Sequence, residues 1–266
     1  MPAAFAYGPW ALVTGASSGI GEQFAHLLAA AGCHLVITAR RAEQLQNLAT
    51  TLQAEHGIQV EAVTLDLNDA DFLTPLLTAI ADKDIGLLVS NAGFGLKGPH
   101  AMQDGAQLQG MLNVNALAPM LLTNALAPQL CARDKSGIIL TSSIEGFVPF
   151  PHSAAYAASK AFVLSLGEAI AWELKDEGVD TLVLCPGSTD TEALTRQGFD
   201  PATLKGLMSP RDVASQALDA LGKKTVLVTG AANKAMVKLL RNLPHNMAVN
   251  LAGKAMQSAT GGASKE

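Results

Sequence analysis

Short apolar and β-branched runs alternate along the chain with longer stretches in which apolar residues recur every three or four positions. The runs are residues 11–13, 35–38, 60–65, 85–90, 137–141, 181–184 and 225–229. Most are nearly continuous in apolar character, as expected of parallel strands covered on both faces. Between them, Phe24, Leu27, Leu28 and Ala31 recur at i, i+3, i+4 and i+7, and Leu45, Leu48 and Leu52 do likewise. Each set forms the stripe of an amphipathic helix. Repeated β-α-β units imply right-handed crossovers, so the pattern predicts an α/β fold: a doubly wound, parallel, seven-stranded sheet with helices on both faces. Such a sheet binds ligands at the carboxyl ends of its strands, where the strand order reverses. No proline-rich or serine-rich linker breaks residues 10–230. Residues 1–230 therefore read as one domain, 231–258 as C-terminal amphipathic helices and 259–266 as a flexible tail.

Composition narrows the function. With 49% hydrophobic and 15% charged residues, the chain is too apolar to be disordered. A formal charge of −5 argues against nucleic acid as a partner, since phosphate binding wants a broad basic surface. Cys33, Cys131 and Cys185 lie far apart in apolar surroundings and the histidines form no HxxxH pair, so buried free thiols and no bound metal are expected. No apolar stretch of about 18 residues is free of polar or breaking residues. Residues 1–10 lack the basic start of a signal peptide, and the chain reads as cytoplasmic.

The first strand runs into Thr14-Gly15-Ala16-Ser17-Ser18-Gly19-Ile20-Gly21, followed by a helical pattern. Between a first strand and a first helix, Gly15 permits a tight turn, Gly19 a close backbone approach to a pyrophosphate, and Gly21 close helix packing. The helix N-terminus offers N–H groups and the positive end of its dipole to phosphate. Where an NAD-binding chain carries an acid at the end of its second strand, this one has Ala39 followed by Arg40. A guanidinium there can fork onto a ribose 2′-phosphate, which points to NADPH/NADP as cofactor. Arg41 is expected to face solvent at the start of the next helix.

The GxxxGxG spacing resembles the short-chain dehydrogenase/reductase family, and further motifs agree. Asn91-Ala92-Gly93 closes the fourth strand, Ser143 precedes Tyr156-Ala157-Ala158-Ser159-Lys160, and Pro186-Gly187-Ser188-Thr189-Asp190-Thr191 follows the sixth strand. The resemblance covers residues 10–230 and implies a Rossmann-type sheet. It implies that Asn115, Ser143, Tyr156 and Lys160 are catalytic. It further implies cofactor contacts from Gly15, Ser17, Ser18, Gly19, Ile20, Gly21, Arg40, Asp66, Leu67, Asn91, Ala92, Gly93, Tyr156, Lys160, Pro186, Gly187, Thr189 and Thr191. Of the two asparagines in Asn113-Val114-Asn115, the second fits the family's pattern better.

The spacing of Tyr156 and Lys160 has its own logic, because residues i and i+4 share a helix face. A free tyrosine titrates near pH ~10, and positive charge from Lys160 and from an oxidised nicotinamide is expected to lower that value. Tyr156 then exchanges a proton with a carbonyl or alcohol oxygen, while Ser143 orients that oxygen. By resemblance, Asn115 fixes a water that links Lys160 to solvent.

Loops 94–100, 144–153 and 188–210 are expected to line a substrate pocket with Phe94, Leu96, Phe147, Phe150, Leu194, Phe199, Leu207 and Met208. These walls suit a small, largely apolar carbonyl or alcohol substrate. Lys97, Arg196, Lys205 and Arg211 are available to an acidic group, and Glu145 reads as a solvated loop carboxylate. Two competing readings are a dinucleotide-binding sensor without turnover, and an epimerase or dehydratase of the same superfamily. The intact Ser143, Tyr156 and Lys160 argue against the first, and the short sequence after the last strand against the second.

The resemblance also implies a homodimer or homotetramer built on the helices near 104–131 and 154–175, with Ala157, Ala161, Phe162 and Ala169 in contact. From Gly222 onward stand seven of the 18 Lys and Arg residues and a single acid, Glu266. Met236, Leu239, Leu240 and Leu243 recur at helical spacing, Pro244 breaks the pattern, and Met247 and Leu251 resume it. The preferred reading is two short helices packed on the core or on a neighbouring subunit. The competing one is a mobile cover over the pocket that also touches anionic membrane surfaces.

Overall fold

All seven apolar runs become strands, with ends within two residues of those predicted. The computed structural model describes residues 6–199 and 206–259. Its strands are β1 (Trp10–Thr14), β2 (His34–Ala39), β3 (Val60–Thr64), β4 (Ile85–Ser90), β5 (Ser136–Thr141), β6 (Val179–Cys185) and β7 (Val226–Val228). They form one sheet in the order β3-β2-β1-β4-β5-β6-β7, and every pairing is parallel. The chain winds outward from β1 to β3, then returns to the other side of β1. The reversal between β1 and β4 opens a crevice at their carboxyl ends.

The helices are α1 (Gly19–Ala30), α2 (Ala42–His56), α3 (Leu73–Ile80), α4 (Gly105–Leu112), α5 (Ala118–Cys131), α6 (Ala154–Glu173), α7 (Glu192–Arg196), α8 (Pro210–Ala220), α9 (Ala231–Asn242) and α10 (His245–Ala259). Successive strand residues point to opposite faces, and the two cores follow that alternation. Val13, Ile37 and Leu87 bury one face against Phe24, Leu28, Leu45, Leu52 and Val213 of α1, α2 and α8. Leu12, Val36 and Leu88 bury the other against Leu76, Leu122 and Val163 of α3, α5 and α6. Each such side chain contributes about 1.5–3 kcal/mol when fully buried.

Two irregular features bear on the site. A π-helical turn, Asn113–Leu117, joins α4 to α5, and the Ala118 N–H reaches back to the Asn113 carbonyl. Such turns widen a helix locally and are frequent at functional sites. At the other end of the chain, Pro244 separates α9 from α10, as predicted, and the buried face matches the expected one only in part. Leu240 and Leu243 of the expected set, with Ala248, Ala252 and Met256, pack with Phe150 and Ala157, whereas Met236, Leu239, Met247 and Leu251 are exposed. The inner face is made of small residues because α10 runs close to the core. A Cβ on Gly253 would stand 3.0 Å from the Pro151 ring.

Ala157 is buried beneath this helix pair, which removes it from the expected subunit contact, while Phe162 remains exposed. Cys33 and Cys185 are buried, Cys131 is half-buried, and all three are free thiols. Among the described residues no group of His, Cys, Asp or Glu could hold a metal ion, and no helix is long and apolar enough to cross a membrane. The expected tail lies outside the described residues from 260 onward, as does Lys205.

Candidate active site

A cleft of about 630 Å³ follows the carboxyl edge of the sheet from β2 to β6. At one end stands the glycine loop. Gly15 and Gly19 have φ of +69° and +62°, values that glycine adopts without steric cost. A Cβ on Gly15 would lie 2.8 Å from the Ala92 backbone, and one on Gly21 only 2.3 Å from the Gly15 carbonyl oxygen. The loop, the start of α1 and the Asn91-Ala92-Gly93 turn therefore close on one another at distances no side chain could share. Ser18 caps α1 without a side-chain hydrogen bond, leaving the first-turn N–H groups and the dipole to an anion in the cleft. Thr14 Oγ1 accepts from the N–H groups of Asn91 and Ala92, both at 3.0 Å, and ties the two turns together.

Ser17, Ser18, Ile20, Arg40, Asp66, Leu67, Pro186, Gly187, Thr189 and Thr191 also line the cleft, as do Gly15, Gly19, Asn91, Ala92 and Gly93. Gly21 lies just behind, buried against Gly15. Arg40 projects from the end of β2, largely exposed, with Nη1 3.7 Å from Asp66 Oδ2. Arg41 departs from expectation. Instead of facing solvent, its guanidinium donates to the Ser17 carbonyl at 3.0 Å and to Glu192 at 2.9 Å. It bridges the glycine loop to α7 because Thr191 and Glu192 fold back over Gly19.

At the cleft's other end stand Ser143, Tyr156 and Lys160. Ser142 Oγ donates to the Lys160 carbonyl at 2.7 Å and pins α6 to the end of β5. The Ser143 hydroxyl accepts from the Glu145 N–H at 3.2 Å and faces the Tyr156 phenol, where it favours the phenolate. Lys160 Nζ donates to the Thr141 carbonyl at 2.9 Å and lies 5.8 Å from the Tyr156 ring centroid. Burial lowers the Lys160 ammonium to a pKa of about 8. The chain's own groups do not produce the expected depression of the tyrosine. Burial first, then the Glu145 carboxylate, push the phenol above its ordinary value, and the Ser143 hydroxyl opposes them. Lys160 is itself buried and directed at a carbonyl, so its charge does not dominate.

Asn115, in the π turn, is fully buried. Its Oδ1 accepts from the Phe94 N–H, and its Nδ2 donates to the Phe94 carbonyl and to Ser159 Oγ. It holds the loop after β4 against α6, and a Cβ on Gly93 would meet both Asn115 Oδ1 and Lys160 Nζ. Asn113 points elsewhere, donating to Asn68.

The apolar wall of the cleft contains Phe94, Phe150, Leu194 and Phe199 from the expected set. Leu96, Phe147, Leu207 and Met208 do not line it. Phe147 lies under the Arg241 guanidinium, and Met208 packs near Gly230. Their places are taken by Ile144 and by Ala255 and Met256 of α10. Arg196 lines the cleft and pairs with Glu192, and Arg211 does not line it. Lys97 and Glu145 are paired with each other, the lysine side chain buried and Glu145 half-buried on the cleft wall.

The family model for short chain dehydrogenases matches residues 9–200. The chain belongs to the short-chain dehydrogenase/reductase family. A 7beta-hydroxysteroid dehydrogenase of Clostridium sardiniense is 30% identical over 249 residues, covering 93% of this chain and 95% of that protein. Among solved structures, one reported for 7beta-hydroxysteroid dehydrogenase stereoselectivity superposes with a TM-score of 0.85 at 27% identity, covering 93% of this chain and 97% of that one. A short-chain dehydrogenase from Sphingobium yanoikuyae in complex with NADPH gives 0.78 at 31% identity, with 89% and 96% covered. This family member is thus an oxidoreductase of the alcohol–carbonyl type, on a fold that binds NAD(P).

Proposed function

We propose that the protein is an NADPH-dependent oxidoreductase that interconverts a carbonyl and a secondary alcohol on a bulky, largely apolar substrate. The observation that carries the reading is one continuous cleft, with the glycine cradle at one end and Ser143, Tyr156 and Lys160 at the other. The cradle fits a dinucleotide because its close approaches leave a smooth concave backbone, with the start of α1 aimed into it. Gly15 to Gly21 would hold the pyrophosphate, with Asp66 and Leu67 at the adenine and Asn91 to Gly93 beneath. Tyr156 and Lys160 would hold the nicotinamide ribose, and Pro186, Gly187, Thr189 and Thr191 would flank the nicotinamide. When bound, the cofactor supplies or accepts the hydride.

Preference for the 2′-phosphate rests on Ala39 and Arg40. No carboxylate ends β2, and Arg40 is exposed at the rim with only a loose contact to Asp66. In reduction, Tyr156 gives its proton to the substrate oxygen, and its raised pKa keeps that proton in place through neutral pH. Ser143 accepts from a backbone N–H, which leaves its own hydrogen to turn toward the substrate oxygen. Lys160 keeps positive charge close by, and Asn115 holds the Phe94 loop and the water expected to link Lys160 to solvent. Phe94, Phe150, Leu194, Phe199 and Met256 form a wall suited to a ring system, in keeping with the hydroxysteroid dehydrogenase relatives.

A panel of cyclic, aryl and steroid ketones, followed by NADPH oxidation, tests the reading. Turnover that increases with substrate bulk is expected, and no turnover on any member would favour a non-catalytic dinucleotide sensor instead. Phe162 and Trp172 of α6, Leu112 of α4 and Leu117 of the π turn are exposed, which supports assembly into a homo-oligomer through these helices. Light scattering that finds only the 27.5 kDa chain would contradict that assembly.

A further inference from the structure

Two paired charges beside the acid–base centre have no part in the chemistry described so far. Lys97 comes from the loop after β4 and Glu145 from the turn after β5. Lys97 Nζ donates to both Glu145 oxygens, at 2.7 and 2.8 Å, and to Ser153 Oγ at 2.7 Å. The Ser153 hydroxyl in turn donates to Glu145. The lysine side chain is only 3% exposed and the glutamate 15%. The same ammonium lies 4.4 Å from the Tyr156 ring centroid, nearer than the 5.8 Å of Lys160. A second bond stitches the two loops together: the Gly98 N–H donates to the His152 carbonyl at 2.8 Å. His152 takes φ of +62° to present it, a conformation uncommon for a residue with a side chain.

Stability is a poor reason for this arrangement, since a buried ion pair is often no better than an apolar pair of the same size. Its position gives a better one. The groups facing Tyr156 are Lys97 and Glu145 from the two loops, Lys160 from its own helix, the Ser143 hydroxyl and the Cys185 thiol at the end of β6. Glu145 and Cys185 both disfavour negative charge on the phenol, and Ser143 favours it. Among the described residues, Lys97 is the cation that touches both the ring face and the opposing carboxylate.

Resting on the reading of Tyr156 as the proton donor, we propose that Lys97 is a positioning residue of the acid–base centre. It fixes Glu145 and offsets its charge, so that negative charge can form on Tyr156 beside a half-buried carboxylate. Glu145 in turn holds Lys97 over the ring and places the backbone N–H that orients Ser143.

The rate of ketone reduction at neutral pH tests this. Removing the cation alone with Lys97→Met leaves Glu145 unopposed and should lower kcat about tenfold, the scale of one charge at this range, with NADPH affinity unchanged. Lys97→Arg keeps the charge and should restore most of that loss. Lys97→Met combined with Glu145→Gln should exceed Lys97→Met alone in kcat and fall below Glu145→Gln, and the second comparison stands even if the lysine variant alone does not fold. Lys97→Met at wild-type kcat, or a double variant at or above Glu145→Gln, would overturn the proposal. Turnover by Tyr156→Phe separates the layers. If that turnover is lost but these differences do not appear, only the role of Lys97 falls. If turnover survives, the reading beneath it falls as well.

Discussion

The two ends of the cleft are built by different means. The dinucleotide end is made of backbone: Gly15, Gly19 and Gly21 bring the turn, the first helix and the Asn91-Ala92-Gly93 segment within distances that exclude a Cβ. Its parts lie at the ends of two adjacent strands, and its shape depends little on which side chains surround it. The substrate end is made of side chains delivered from far apart in sequence, Phe94, Ile144, Phe150, Leu194, Phe199 and Met256. One end repeats a geometry that many ligands with a pyrophosphate could use, and the other is specific to this chain. Tyr156 stands at the join, on a helix pinned to the sheet by Ser142.

That contrast can be broken at either end, and the effects should separate cleanly. The largest belongs to Gly21→Val. With even a Cβ only 2.3 Å from the Gly15 carbonyl, the loop cannot close, and dinucleotide affinity should fall by more than about a hundredfold, since overlap with backbone has no cheap relief. Isothermal titration with NADPH checks this, and near wild-type affinity would mean that the loop is not the phosphate cradle. A smaller effect is expected for Arg40→Ala. Loss of a charge-assisted bond at an exposed position should cut the preference for NADPH over NADH in kcat/KM by about tenfold. Wild-type enzyme that uses NADH as well as NADPH would remove the assignment. The smallest belongs to the substrate wall. Met256→Ala should raise KM for a bulky ketone about threefold to tenfold, the usual worth of a few methylenes in a pocket. NADPH affinity should stay unchanged, and a change in cofactor affinity instead would show that α10 serves the other end of the cleft.

The same contrast explains what could be read from the sequence. Strand positions followed from local apolar runs, and β1, β4 and β5 also carry their motifs at their carboxyl ends, so order along the chain was enough to align Thr14–Gly21 with Asn91–Gly93. Asn115 was singled out over Asn113 by the family's pattern alone, and nothing in the local sequence foretold that it is fully buried while Asn113 turns to Asn68. The substrate side was only half legible. Leu96, Phe147 and Met208 have the right chemistry in the right loops, but a loop residue's direction is set by partners distant in sequence, such as Arg241 over Phe147. Met256 was missed because the periodicity of α10 drew attention to Met247 and Leu251, which face outward, while the packed face uses small residues. Lys97 was read as available to an acidic group and Glu145 as a solvated carboxylate, each on its own. The signal available was their joint occurrence, one cation and one anion in two apolar loops that both reach the same helix.

The central claim is that Tyr156 moves the proton while the rest of the cleft only binds and orients. Tyr156→Phe keeps the ring, its packing and the helix on which it stands, and removes only the hydroxyl. Turnover of the best ketone and NADPH affinity, measured on the same preparation of this variant, test the claim directly. The account predicts unchanged NADPH binding with kcat reduced by about a hundredfold or more, the usual contribution of a general acid. A variant that binds NADPH normally and keeps more than about a tenth of wild-type kcat would contradict it.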